Sequence, residues 1–242
     1  MASFVLVPGA WLGGWVWDRI TPVLESAGHS VHPVTLPGLA DRTDELTPEI
    51  GLMAHVNDVV EKCRQLDLRD AILVGHSYAG AVVGGVARRL PRRFRAQVYL
   101  DTMPLAEGRS LLEGFSPNGE VRFKDALVTL RGTRVWPMPE PLSAQAPTDG
   151  LSPADLSLLR TLATPHPALS FEERLRGSVE PGPYPKNYAI SCVEDENAAA
   201  AEKEQFLAQN PDWTYYSLPL CHWPMLSSPR ELASILNRIS ED

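Results

Sequence analysis

Apolar residues fall into short unbroken runs, separated by stretches with helical spacing. Residues 4–7 (FVLV) form the first run and stop at Pro8-Gly9. A run that is apolar at every position suits a strand buried on both faces, as in a parallel sheet. After the glycine-rich loop PGAWLGG, residues 15–27 read as a helix ending at Gly28. Residues 29–36 (HSVHPVTL) are the next strand candidate, weakened by Pro33, which lacks a ladder donor. Thr47-Pro48-Glu49 reads as an N-cap with proline at the first helical position, opening an amphipathic helix to about Leu66. Residues 70–74 (DAILV) predict a buried strand, 77–89 a helix of small residues, and 96–100 (AQVYL) a further strand. This alternation implies an α/β fold with a doubly wound, mostly parallel sheet.

The pattern changes after residue 102. Residues 103–186 hold 12 of the chain's 22 prolines, which excludes long helices and leaves no strand to join the sheet. Only short helices fit there, such as residues 152–163 with Ser152 as N-cap and Pro153 behind it. A structureless loop of that length is improbable in a compact domain, so the segment reads as a small helical cap. From 187 the core pattern resumes: a strand over 188–192 (YAISC), a helix over 198–209, a strand over 213–218 (WTYYSL) and a closing helix over 228–238. The expected organisation is a core of 1–102 and 187–242 with a cap of 103–186 inserted.

Charge and cysteines narrow the partners. With 22 basic and 30 acidic side chains the net charge is −8, and no basic field exists to attract nucleic acid or an anionic membrane. No apolar run approaches the ~18 residues of a membrane span. The N-terminus lacks a charged leader region, and Cys63, Cys192 and Cys221 form neither a disulfide framework nor a C-x-x-C pair. A cytoplasmic protein is expected, with no metal site and a homodimer as a candidate assembly.

The strongest chemical signal is Gly75-His76-Ser77-Tyr78-Ala79-Gly80, directly between a strand and a helix. On such a sharp turn a serine hydroxyl stands above the sheet, and the residues two before and two after must be small; Gly75 and Ala79 are. The bland alternative is a tight turn that happens to contain serine. A serine hydroxyl needs a base within reach. Of the six histidines, His29 and His32 flank an early strand, and His55 lies on the amphipathic helix as a solvated or half-buried residue. His76 faces away on the elbow, and His166 lies among the cap's prolines. His222 follows the last strand, where open α/β sheets place their sites, so it is the expected base. For the acid, the residues leave two positions open: Glu194-Asp195-Glu196 after YAISC, and Asp101 after AQVYL.

The opening FVLVPGAWLGGWVW, the elbow GHSYAG, the block VYLDTMP, the segment CVED and the late histidine resemble the plant methylesterase and hydroxynitrile lyase group of α/β-hydrolases and its bacterial esterase relatives. The resemblance implies a triad of Ser77, His222 and Asp195, with Glu194 as the fallback acid. It also implies an oxyanion hole from the N–H groups of Ala10 and Tyr78, and no cofactor. Two positions depart from it. Pro8 stands where relatives carry histidine before the loop glycine, and Trp223 stands where the lyases place a lysine that bears the cyanide charge.

The leading expectation is therefore a serine carboxylic-ester hydrolase acting on small apolar or aromatic esters. A lyase on the same triad is disfavoured by Trp223, and a non-catalytic small-molecule binder by the intact nucleophile. Trp11 and Trp223 are the expected substrate contacts. Trp15, Trp17, Leu111, Leu112, Phe115 and Trp136 fit either a pocket lining or ordinary core.

Overall fold

The computed structural model describes residues 1–140, 142, 148–177, 183–193, 195–219 and 221–242. Strands β1 (Ser3–Val7), β2 (Ser30–Pro33), β3 (Ala71–His76), β4 (Phe94–Leu100), β8 (Lys186–Cys192) and β9 (Thr214–Leu218) form one sheet in the order β2-β1-β3-β4-β8-β9. All five pairings are parallel. Proline is tolerated in β2 because that strand is the sheet's edge, and the strand ends at Pro33, short of the expected Leu36.

Side-chain alternation sends the two faces of β1 and β3 into two cores. Val5, Val7 and Leu73 meet α2 (Leu52–Gln65) and α3 (Ala79–Arg89). Phe4, Leu6, Ile72 and Val74 meet Leu24 of α1 (Thr21–Ser26) and Leu232, Ile235 and Leu236 of α9 (Pro229–Glu241). Both faces are covered, as an all-parallel sheet requires. Three expected helix starts differ. Residues 14–17 are a 3₁₀ turn and α1 begins only at Thr21, α2 begins at Leu52 behind Gly51, and a short helix α8 (Pro224–Ser227) precedes α9. Helix α7 (Glu196–Gln209) lies between β8 and β9 in the chain.

Between β4 and β8 the chain builds α4 (Pro117–Ala126), β5 (Val128–Leu130), β6 (Thr133–Trp136), α5 (Pro153–Leu162), β7 (His166–Pro167) and α6 (Leu169–Glu172). The expectation of a purely helical cap is corrected here. β5, β6 and β7 form an antiparallel three-stranded sheet of their own, whose strands are short enough to fit between prolines. Ser152 caps α5 as expected, in a reciprocal capping box with Asp155.

Candidate active site

Ser77 sits between β3 and α3 with φ +52, a left-handed conformation that costs a non-glycine residue roughly 1–3 kcal/mol. Two backbone bonds hold it there: Ser77 N–H to Leu100 O at 3.0 Å and Gly80 N–H to Ser77 O at 2.9 Å. Gly75 is dictated by close approach, since a Cβ there would stand 2.7 Å from Val83 Cγ2 of the following helix. The serine therefore occupies the strand-to-helix elbow that its flanking small residues predict.

His222 follows β9, and its Nδ1 lies 2.5 Å from Asp101 Oδ2. Asp101 terminates β4 at φ +49, and its other oxygen accepts the Cys192 N–H at 3.0 Å. Burial alone would raise the Asp101 carboxyl. The bonds from His222 and the Cys192 amide outweigh it and hold the group below its ordinary value. An ionised carboxylate can only accept, so Nδ1 carries the imidazole proton and Nε2 is left as a base.

The expected pairing of Asp195 with His222 is corrected by this geometry. Asp195 is exposed and serves as N-cap of α7, accepting the Ala198 N–H at 2.8 Å. The acid that reaches the histidine comes from β4, the strand beside the serine's own. Glu194, the fallback, lies outside the described residues.

Ser77, His222 and Asp101 line one cavity of about 200 Å³ together with Ala10 and Tyr78. Neither the Ala10 nor the Tyr78 amide has an acceptor among the described residues, so both N–H groups are available to a ligand. Trp11, Leu111, Phe115, Trp136 and Phe171 form the apolar wall; Trp11 was expected there, Leu111, Phe115 and Trp136 were open between pocket and core, and Phe171 was not singled out from the sequence. Trp223 is corrected as a substrate contact. The chain turns into α8 directly after His222, and the indole is 2% exposed within the core beneath, its ring edge-on to His222 at 5.0 Å. Trp17 is likewise fully buried core, and Trp15 and Leu112 pack outside the cavity.

Three other histidines surround the site, all fully or nearly fully buried. His76 Nε2 donates to the His222 carbonyl at 2.7 Å, so the elbow holds the loop that carries His222. A Cβ at Gly9 would come within 2.8 Å of His76 Nδ1, which is why this loop position takes glycine. His55, expected at or near the surface, is instead enclosed. Its Nε2 donates to Pro37 O at 3.0 Å, and its Nδ1 accepts the Tyr78 hydroxyl at 2.7 Å. Nδ1 of His166 accepts the Trp11 N–H at 3.1 Å.

Burial lowers His55 to about 4 and His76 to about 3, and takes His166 well below its ordinary value. A lowered folded value means the unfolded chain binds these protons first. The stabilisation from keeping the three rings neutral is complete above the unfolded value near ~6.5 and declines as pH falls toward the folded values. The unfolding free energy is expected to fall progressively below about pH 6.5, by up to ~4 kcal/mol per pH unit where all three rings contribute, and Tm to fall with it. Melts from pH 8 to 5 check this, and a flat Tm between pH 7 and 5 contradicts it.

A model of the alpha/beta hydrolase family matches residues 4–235. A carbendazim hydrolyzing esterase of Nocardioides sp. (strain SG-4G) is 42% identical over 112 residues, covering 46% of this chain and 46% of that protein. Polyneuridine aldehyde esterase of Rauvolfia serpentina is 25% identical over 252 residues, 98% of this chain and 95% of that protein. Matches to two putative chloroplastic methylesterases of Arabidopsis thaliana span only 63% and 56% of those proteins. Among solved structures, an extracellular α/β-hydrolase from a Paenibacillus species superposes with TM-score 0.78 at 20% identity over 98% of both chains, a likeness of fold alone.

Proposed function

Because the chain belongs to the alpha/beta hydrolase family, we propose that it is a carboxylic-ester hydrolase whose nucleophile is Ser77, whose base is His222 and whose orienting acid is Asp101. The bond from His222 Nδ1 to Asp101, in one cavity with a serine at a strained elbow, carries this reading. Ser77 Oγ attacks the ester carbonyl carbon as its proton passes to His222 Nε2. The tetrahedral oxyanion takes hydrogen bonds from Ala10 and Tyr78 N–H, donors typically worth ~3 kcal/mol each in such sites. Collapse expels the alcohol, protonated by His222, and leaves an acyl group on Ser77. Water, deprotonated by His222, then releases the acid.

The cavity supports a reading of the substrate class. At about 200 Å³ it lies below the ~300–1,000 Å³ of common ligand sites, and its wall is aromatic and aliphatic. Small esters of aromatic or apolar acids fit, and the names of the relatives, methylesterases among them, point to a small alcohol such as methanol. Among the described residues lining the cavity there is no lysine or arginine, and Trp223 lies in the core. A leaving cyanide therefore has no lysine or arginine to receive it, which counts against the lyase alternative. Free cysteines fit a reducing cytoplasmic setting.

The test is a panel of methyl esters with aromatic, alkyl, charged and polymeric acids, read by acid release, alongside fluorophosphonate labelling mapped by mass spectrometry. Turnover of the aromatic and alkyl members, with the label on Ser77, is expected. No turnover and no label on Ser77 in folded protein overturns the proposal.

A further inference from the structure

The loop that offers the Ala10 N–H has little bonding of its own. Its turn is closed by one long bond, Leu12 N–H to Gly9 O at 3.4 Å. At its tip Trp11 adopts φ +67, a conformation that a bulky side chain avoids. What holds Trp11 comes from the cap. Its N–H donates to His166 Nδ1 at 3.1 Å, its carbonyl accepts the Thr164 N–H at 2.9 Å, and its indole Nε1 donates to Trp136 O at 2.9 Å. Thr164 Oγ1 also accepts the Ala40 N–H at 2.9 Å, tying the same cap segment to the core.

Of the three bonds the cap makes to Trp11, those of Thr164 and Trp136 use their backbone, and only that of His166 comes from a cap side chain. The ring is fully buried against Tyr78, Phe171 and His55, with centroids 4.5, 5.2 and 5.7 Å away. Because Nδ1 accepts, Nε2 carries the proton, and that N–H has no partner among the described residues. A phenyl ring would fill the same space without leaving a buried donor unpaired. The imidazole supplies one thing that a phenyl cannot, an acceptor for the Trp11 amide.

Resting on the esterase reading, we propose that His166 is a positioning residue of the oxyanion hole. By accepting the N–H of the peptide joining Ala10 to Trp11, it fixes the plane next to the Ala10 donor. The cap is thereby part of the machinery that stabilises the transition state, in addition to walling the cavity. The neighbouring His55 does the parallel service for the other donor, holding the side chain of Tyr78 through its hydroxyl.

The test uses p-nitrophenyl acetate as the ester and compares His166→Phe, His166→Asn and Ser77→Ala with wild type for kcat, KM and Tm. His166→Phe keeps the ring volume and loses the acceptor. It is expected to lower kcat by about 10–100-fold, a part of what removing a donor outright costs, with KM within about twofold. His166→Asn places an amide oxygen near the position of Nδ1 while leaving a void. It is expected to recover most of kcat while lowering Tm more than Phe does. The two variants thus rank oppositely in rate and in stability, which a purely structural role does not produce. Through-hydrogen-bond NMR coupling between the Trp11 amide and His166 Nδ1 in the wild type supports the proposal without any variant, and its absence overturns it. A His166→Phe enzyme at wild-type kcat, with Ser77→Ala inactive, overturns the positioning role and leaves the esterase reading standing. An active Ser77→Ala enzyme overturns both.

Discussion

Ser77→Ala is expected to fold like the wild type and to lose up to ~10⁶-fold in kcat for ester hydrolysis. The hydroxyl is half-exposed at the elbow and packs against nothing that holds the core, so its removal leaves both cores intact. What disappears is the only serine among the described residues lining the cavity that holds His222. Serine and alanine carry the strained φ of +52 alike, so Tm is expected to stay close to that of the wild type. The measurement is steady-state hydrolysis of a methyl ester, with the far-ultraviolet circular dichroism of the same sample as the check on folding. Wild-type hydrolysis by a folded Ser77→Ala protein removes the nucleophile from the scheme.

Asp101→Asn is expected to cost up to ~10⁴-fold, because a neutral amide no longer fixes the imidazole tautomer or supports the imidazolium formed during attack. Asp195→Asn is the matched control. Asparagine caps helices about as well as aspartate, so this change preserves the α7 N-terminus and tests charge alone. The control is expected to keep its rate and nearly all its stability. Should the pair behave the other way round, with Asp195→Asn crippled and Asp101→Asn active, the acid belongs after β8.

The sequence carried the elbow plainly, since Gly75, Ser77 and Ala79 between AILV and a run of small residues leave little else for that turn to be. It also carried the late histidine, because only His222 follows the last strand. The acid was harder. Asp101 and Asp195 both follow core strands, and a carboxylate at a strand end looks the same in one dimension whichever way it turns. A signal for Asp195 was nonetheless present. An aspartate directly ahead of ENAAAAEKEQF, a run of strong helix formers, is in the position of an N-cap and is engaged there. The burial of His55, the bond from His166 to Trp11 and the fate of Trp223 were not legible, because each depends on contacts between separate elements, 18 to 155 positions apart for the two histidines, or on the exit direction of a turn. The small sheet of the cap escaped for a local reason. Strands of two to four residues are too short to show a period of two.

The covering of the sheet's second face by α9 has a consequence for how the chain is made. β1, β3 and β4 are complete by residue 100, and α2 and α3 can already cover one face, but the helix that closes the other begins 129 residues later, at Pro229. α1 and the turn before it can cover part of that second face early, but at translation speeds of about 5–20 residues per second the part under Leu232, Ile235 and Leu236 waits on the order of 10 s for its cover. During that interval a nascent chain shows a sheet with one side only partly covered, the kind of surface that chaperones hold and that neighbouring chains stick to. His222 precedes α9 by only a few residues, so it joins the cavity of Ser77 at nearly the moment the exposed side is sealed. The completed cavity and protection from aggregation thus arrive together.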